Sequence, residues 1–277
     1  MRASEWIQLG SAIIFAIASW LSPFTSRPLP RRRRWTVTAL AALAAIVIAL
    51  AHLASAALTP DHYAVLLDCL TVALFLIPYW QTGQFFIEPN HAIEDRLLAF
   101  DRRLLPHISS TSGTGRNPIG LILEMAYLSC YPLVPLGLTA VYAAGLRSRV
   151  NGFWLVLLIA TYICYAITPF VPAFPPRSLI KEQPAATPPA NKGRLFNRWI
   201  LQHGSIQAIS FPSAHVASAF AIALVLLHYA PLPGVVFLII AIMISLGAVI
   251  GRYHYALDVI LGAVTALIVF LACFRHL

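Results

Sequence analysis

The sequence predicts an all-α integral membrane protein of about eight transmembrane helices. Three observations carry this. The 277 residues are 59% hydrophobic and only 10% charged, where a soluble domain is roughly a quarter charged. Mean hydropathy is +0.78. Apolar runs repeatedly reach the ~20 residues that cross a bilayer, and in hydrocarbon such runs satisfy their own backbone hydrogen bonds as helices.

The runs place spans near residues 5–22, 35–58, 63–80, 118–145, 150–170, 212–230, 232–251 and 255–274. Ala16-Ile17-Ala18 resembles a signal cleavage site, but Arg31-Arg32-Arg33-Arg34 follows as a stop-transfer flank and favours an anchor. Residues 81–117 mix charges with Ile93, Leu97, Leu98, Phe100, Leu104 and Leu105, the pattern of a helix lying in the membrane interface. Residues 171–211 begin Pro-rich and end on the apolar-basic stretch Leu195 to Leu201, too long for a mere connector. Cys69, Cys130, Cys164 and Cys273 lie in apolar runs without CxxC spacing and read as small core residues.

The net charge of +9 does not indicate nucleic acid, because the cations sit in short loops between apolar spans. Crossing parity puts the starts of spans six and eight and the 171–211 loop on one face. That face holds Arg27, Arg31 to Arg34, Arg96, Arg102, Arg103, Arg116, Arg177, Lys181, Lys192, Arg194, Arg198 and Arg252. Only Arg2, Arg147, Arg149 and Arg275 lie opposite. The positive-inside rule makes the richer face cytoplasmic, and the bias survives removal of Arg252 and the long-loop cations.

Two segments on that face carry chemistry. Phe211-Pro212-Ser213-Ala214-His215 opens span six, where proline suits a first helical turn and the N–H groups of that turn favour an anion. Ser213 adds a hydroxyl and His215 a proton; the bland reading is an interfacial helix start whose histidine meets water. Gly251 to Asp258 enters span eight. His254 and Asp258, four apart, share a face if the helix has begun by His254. A carboxylate there accepts the imidazole N–H, fixes its tautomer and leaves the other nitrogen as the nucleophile. An ionised aspartate in an apolar run costs about 2.5–3.5 kcal/mol and is usually tied to a partner or a function. Asp68 and Glu124 also lie in apolar runs and read either as hydrogen-bonding a polar headgroup or as pairing between helices with Tyr or Arg, Tyr127 and Tyr131 sharing the face of Glu124.

Pro212-Ser213-Ala214-His215 and His254-x3-Asp258 resemble the Pro-Ser-x-His and His-x3-Asp motifs of the PAP2 (type 2 phosphatidic acid phosphatase) superfamily. The resemblance runs from span three to the C-terminus. It implies a six-helix catalytic core in residues 63–277, containing the interfacial segment 81–117 and the loop 171–211, with residues 1–62 as two additional transmembrane helices. The family's Lys-x6-Arg-Pro motif is missing, and Gly247 and Ala248 stand where a Ser-Arg pair is usual. Together with Tyr165, Pro169, Pro175-Pro176-Arg177 and Arg252, this looks like the branch that includes inositol phosphorylceramide synthases.

The resemblance implies a metal-independent lipid-phosphate phosphatase or phosphotransferase. His254 attacks phosphorus, Asp258 orients it and His215 protonates the leaving oxygen. Arg252, Ser213 and Arg177 bind the phosphate, and no cofactor or metal is expected. The partners are a membrane lipid phosphate or phospholipid and the bilayer. The alternatives are a phospho-headgroup transferase of the inositol phosphorylceramide synthase type and a non-enzymatic transporter. A transporter usually shows repeats or broken helices in matching halves, which the sequence does not display. A haem or metal protein needs facing histidines in the bilayer interior, whereas His215 and His254 open helices.

Overall fold

A computed structural model describes residues 1–21, 28–105, 118–179, 192–206 and 208–276. Arg27, Arg116, Lys181, Pro184, Pro188 and Pro189 lie outside the described residues, as do the side chains of Lys192, Arg194 and Arg198. Among the described residues the structure is helical, without strands. The chain forms two compact units, Met1–Ile87 and Glu88–Leu277.

The first unit comprises α1 (Ala3–Leu21), α2 (Arg31–Ala54), α3 (Pro60–Leu74) and α4 (Ile77–Gly83). Small residues let these helices approach, and Ala12, Ala41, Ala44, Ile48, Leu74 and Ile77 form the core. Gln81 Nε2 donates to the carbonyls of Ala12 and Val37 at 3.0 Å each, tying α1 to α2. Buried Asp68 pairs with Arg2 at 3.0 Å, the interhelical role its cost in an apolar run calls for. The boundary expected at residues 62/63 falls inside this unit, since α3 packs with α1 and α2.

The second unit begins with α5 (His91–Leu104), the amphipathic helix expected in segment 81–117; Asn90 caps it by accepting from the N–H groups of Ala92 and Ile93. Next come α6 (Pro118–Leu128) and α7 (Leu133–Ala143), expected as one span but bent by 75° at their junction. The cause is Pro132, which lacks the donor the ladder needs and crowds the carbonyl of Leu128. The bend leaves Tyr131 at the junction. Helix α8 (Val150–Ile167) is apolar all round and therefore central, with Phe153, Trp154, Val156, Leu157 and Leu158 fully buried.

The short α9 (Pro176–Leu179) and α10 (Lys192–Gly204) precede the last three helices, α11 (Ala214–Tyr229), α12 (Pro231–Ile250) and α13 (Ala256–Cys273). Alanines on α11 bring it against α8, α12 and α13. Gly262 is where α13 meets the start of α11: a Cβ there would lie 2.5 Å from the Ser213 carbonyl oxygen. Among the described residues, six helical stretches are long and apolar enough to cross a membrane, seven if the bent pair is one span. The expected eighth among these residues is α11, which is apolar but with 16 residues is short for a ~30 Å core.

Candidate active site

The site is built where α11 and α13 begin and α12 ends. Helix α12 closes in a Schellman motif: the N–H of Arg252 donates to Val249 O at 3.0 Å and that of Tyr253 to Ala248 O at 2.8 Å. The motif requires a left-handed residue after Gly251, and Arg252 supplies it at φ 58. Glycine takes this conformation freely, whereas an L side chain costs roughly 1–2 kcal/mol. The turn aims the next residues inward, and the His254 N–H also donates to Ala248 O, at 3.1 Å. Ala248 thus serves the turn through its carbonyl, while Gly247 lets α12 approach α6, where a Cβ would lie 2.5 Å from Leu123 O.

His254 Nδ1 lies 3.0 Å from Asp258 Oδ2, with His254 4% exposed and Asp258 not at all. The helical face expected to unite them is not the cause. Helix α13 starts at Ala256, so His254 precedes it and the turn aims the imidazole at a carboxylate in the first helical turn. The other catalytic candidate, His215, brings its ring to 5.6 Å from that of His254, centroid to centroid. Its Nδ1 is buried and has no partner among the described residues.

Ser213 also sits differently from the expectation. It is the N-cap of α11, its Oγ accepting from the Val216 N–H at 3.5 Å, and Pro212 lies outside the helix. Its own N–H donates to the Asp258 carbonyl at 2.9 Å, joining the two helix starts. The N–H groups of Ala214 and Ala217 bond to Ser210 Oγ and Ser213 O. Much of the anion-binding capacity expected of this turn is therefore used internally.

Arg177 donates its backbone N–H to Arg252 O at 3.1 Å, which brings both arginines to the His254 turn. Its guanidinium lies 4.9 Å from the centroid of Tyr253. Tyr253 stacks in turn on Tyr127, with centroids 4.2 Å apart and planes 8° from parallel. Tyr253 donates to Glu124 Oε2 at 2.7 Å, so Glu124 has the Tyr partner expected of it. Tyr127 and Tyr131 place their rings 6.0 and 6.3 Å from that of His215.

The sequence reading missed Asp101. Its Oδ1 accepts from the Ala256 N–H at 2.9 Å, capping α13 from α5 across 155 positions, and no local signal announces it. Burial raises its carboxyl to about 6, against the pull of the Ala256 N–H and with the Asp258 charge adding to the rise. A carboxyl raised above its unfolded value stabilises the fold fully only below the unfolded pKa, near 4, and loses that contribution as pH rises through about 6. The melting temperature of wild type minus that of Asp101→Asn is therefore expected to fall between pH 4 and 7; a flat difference in detergent melts would contradict the assignment.

Arg252→Gly is expected to melt no lower than wild type, since glycine relieves the left-handed backbone, while on the phosphate-binding role that the resemblance implies, turnover of a lipid phosphate falls about 10²–10³-fold. Melting curves and kinetics on one preparation check both halves. A drop of several degrees would show that the side chain, not the backbone, dominates this position.

The fold and site define a helical membrane protein with two histidines and a buried aspartate gathered at converging helix ends. The profile of the PAP2 superfamily matches residues 95–272, and the chain belongs to that superfamily, whose members are generally phosphatases and phosphotransferases. Neither a curated protein nor a solved structure gives a match.

Proposed function

We propose that this protein moves a phosphoryl group from a membrane lipid phosphate through a phosphohistidine on His254. The observation that carries the reading is the buried His254–Asp258 pair at 3.0 Å, with the His215 ring beside it. Asp258 takes the proton side of the imidazole, which leaves Nε2 to attack phosphorus. The P–N bond forms, the P–O bond to the leaving group breaks, and protonated His215 gives its proton to the departing oxygen. An acceptor hydroxyl then bonds to phosphorus, the P–N bond breaks, and the acceptor proton returns to His215. Arg177, Arg252 and Ser213 stabilise the phosphoryl oxygens, the kind of term that dominates such transfer. The scheme calls for no metal.

Water as acceptor makes the protein a phosphatase and an alcohol a phosphotransferase; a transferase of the inositol phosphorylceramide synthase type moves the phosphoryl group with its headgroup still attached from one lipid to another. We place the site on the cytoplasmic face because the loop cations crowd there; protection of a cysteine introduced at Ser178 from impermeant reagents added outside intact cells supports this, and labelling there overturns it. The chemical test is a rapid quench of the purified chain with short-chain phosphatidic acid into base, where a phosphoramidate survives. Mass spectrometry is expected to find phosphate on His254, with or without a chelator. Turnover without any phosphoenzyme would sink the mechanism.

A further inference from the structure

Asn197 on α10 has no exposed surface, although its neighbours Leu195, Phe196 and Trp199 are exposed. Apolar residues outward and an amide inward is the arrangement of a helix bordered by lipid with something polar behind it. Tyr131, at the α6–α7 bend, donates its hydroxyl to Asn197 Oδ1 at 3.2 Å. Asn197 Nδ2 is buried without a partner among the described residues. A buried polar atom left unmade is unfavourable, and the Tyr131 bond accounts for the oxygen of this amide but not for its nitrogen. Turning the amide over exchanges the unfilled donor for an unfilled acceptor and leaves the vacancy.

The same Tyr131 ring meets the ring of His215 edge-on, at 6.3 Å and 84°. Through Tyr131 the amide is one contact removed from the histidine that handles the leaving and accepting oxygens. Amide and phenol are both neutral. The amide offers the N–H donors of Nδ2 and the second lone pair of Oδ1, which a hydroxyl matches because it accepts and donates at once.

We propose that Asn197, held by Tyr131, binds a hydroxyl of the acceptor that is not the one attacking phosphorus, so that the acceptor class is a polyol. This rests on the phosphohistidine reading above. In the second half-reaction one hydroxyl of the polyol attacks, its proton passes to His215 and the P–N bond to His254 breaks; the neighbouring hydroxyl stays on Asn197. Asn197 changes no bond and is a positioning residue.

The test uses the full chain in nanodiscs with short-chain phosphatidic acid as donor and either glycerol or methanol as acceptor. The readout is the ratio of transferred to released phosphate, which does not depend on how much protein is folded. With glycerol, Asn197→Leu is expected to lower this ratio about tenfold, as loss of one hydrogen bond does, and Asn197→Gln to recover part of it. With methanol, which has no second hydroxyl, the ratio should move less than twofold. An unchanged glycerol ratio, or an equal fall for both alcohols, overturns the proposal. Wild type that releases phosphate but forms no glycerol phosphate overturns it too, and leaves the phosphatase reading standing. Wild type that forms no phosphoenzyme and releases no phosphate overturns the functional reading itself.

Discussion

His254→Ala is expected to reduce turnover of a lipid phosphate by at least about 10⁴-fold and to abolish the base-stable phosphoenzyme, as removal of a covalent nucleophile does. The residue is buried to 4% exposure and its ring is fixed on one side by Asp258, so no neighbouring group takes its place without rebuilding the turn. The main alternative cause of inactivity is misfolding, because the alanine leaves the Asp258 carboxylate buried beside a cavity. His254→Gln separates the two causes, since its amide still donates to Asp258 but forms no stable phosphoramide. It should melt near wild type and be as inactive as the alanine. Appreciable turnover in a folded His254→Gln protein would mean that the nucleophile lies elsewhere.

Asp258→Asn carries the second largest effect, an expected loss of about 10³–10⁴-fold. The corresponding change in a serine-protease triad costs about 10⁴ because the imidazole is held in the wrong tautomer. In the proposed mechanism the carboxylate does two jobs. It sets which nitrogen faces phosphorus, and it offsets the positive charge that forms on the ring as the P–N bond is made. The bond from Ser213 N–H reaches the backbone carbonyl of Asp258, so the link between helix starts survives the substitution. The variant should therefore fold, bind substrate, and accumulate phosphoenzyme more slowly in the quench experiment. A loss below tenfold would reduce Asp258 to a helix-start acid favoured by the dipole.

The sequence made the helical membrane architecture legible because hydrocarbon imposes a length and a composition that survive without tertiary knowledge. It made His215, His254 and Asp258 legible because their motifs are local. Three things were not legible. The α6–α7 bend hinges on Pro132 in a run whose hydropathy alone reads as one continuous span. The His254–Asp258 pairing depends on a turn and not on a helical face, and a spacing of four looks the same either way. Asp101 and Asn197 belong to segments remote in sequence from the groups they meet. Asp101 acts on the α13 backbone, which has no side-chain signature; Asn197 sits in a stretch whose apolar and basic residues draw attention away from a single amide.

The left-handed backbone of Arg252 has a consequence for anyone handling this protein. On the proposed phosphate-binding role, a residue unfavourable for the backbone and useful to the substrate sets thermal tolerance against turnover at one position. Libraries screened in detergent for heat resistance alone are then expected to enrich glycine there, at the cost of substrate binding. Any stabilisation campaign on this chain therefore needs a ligand or an activity gate in the screen from its first round.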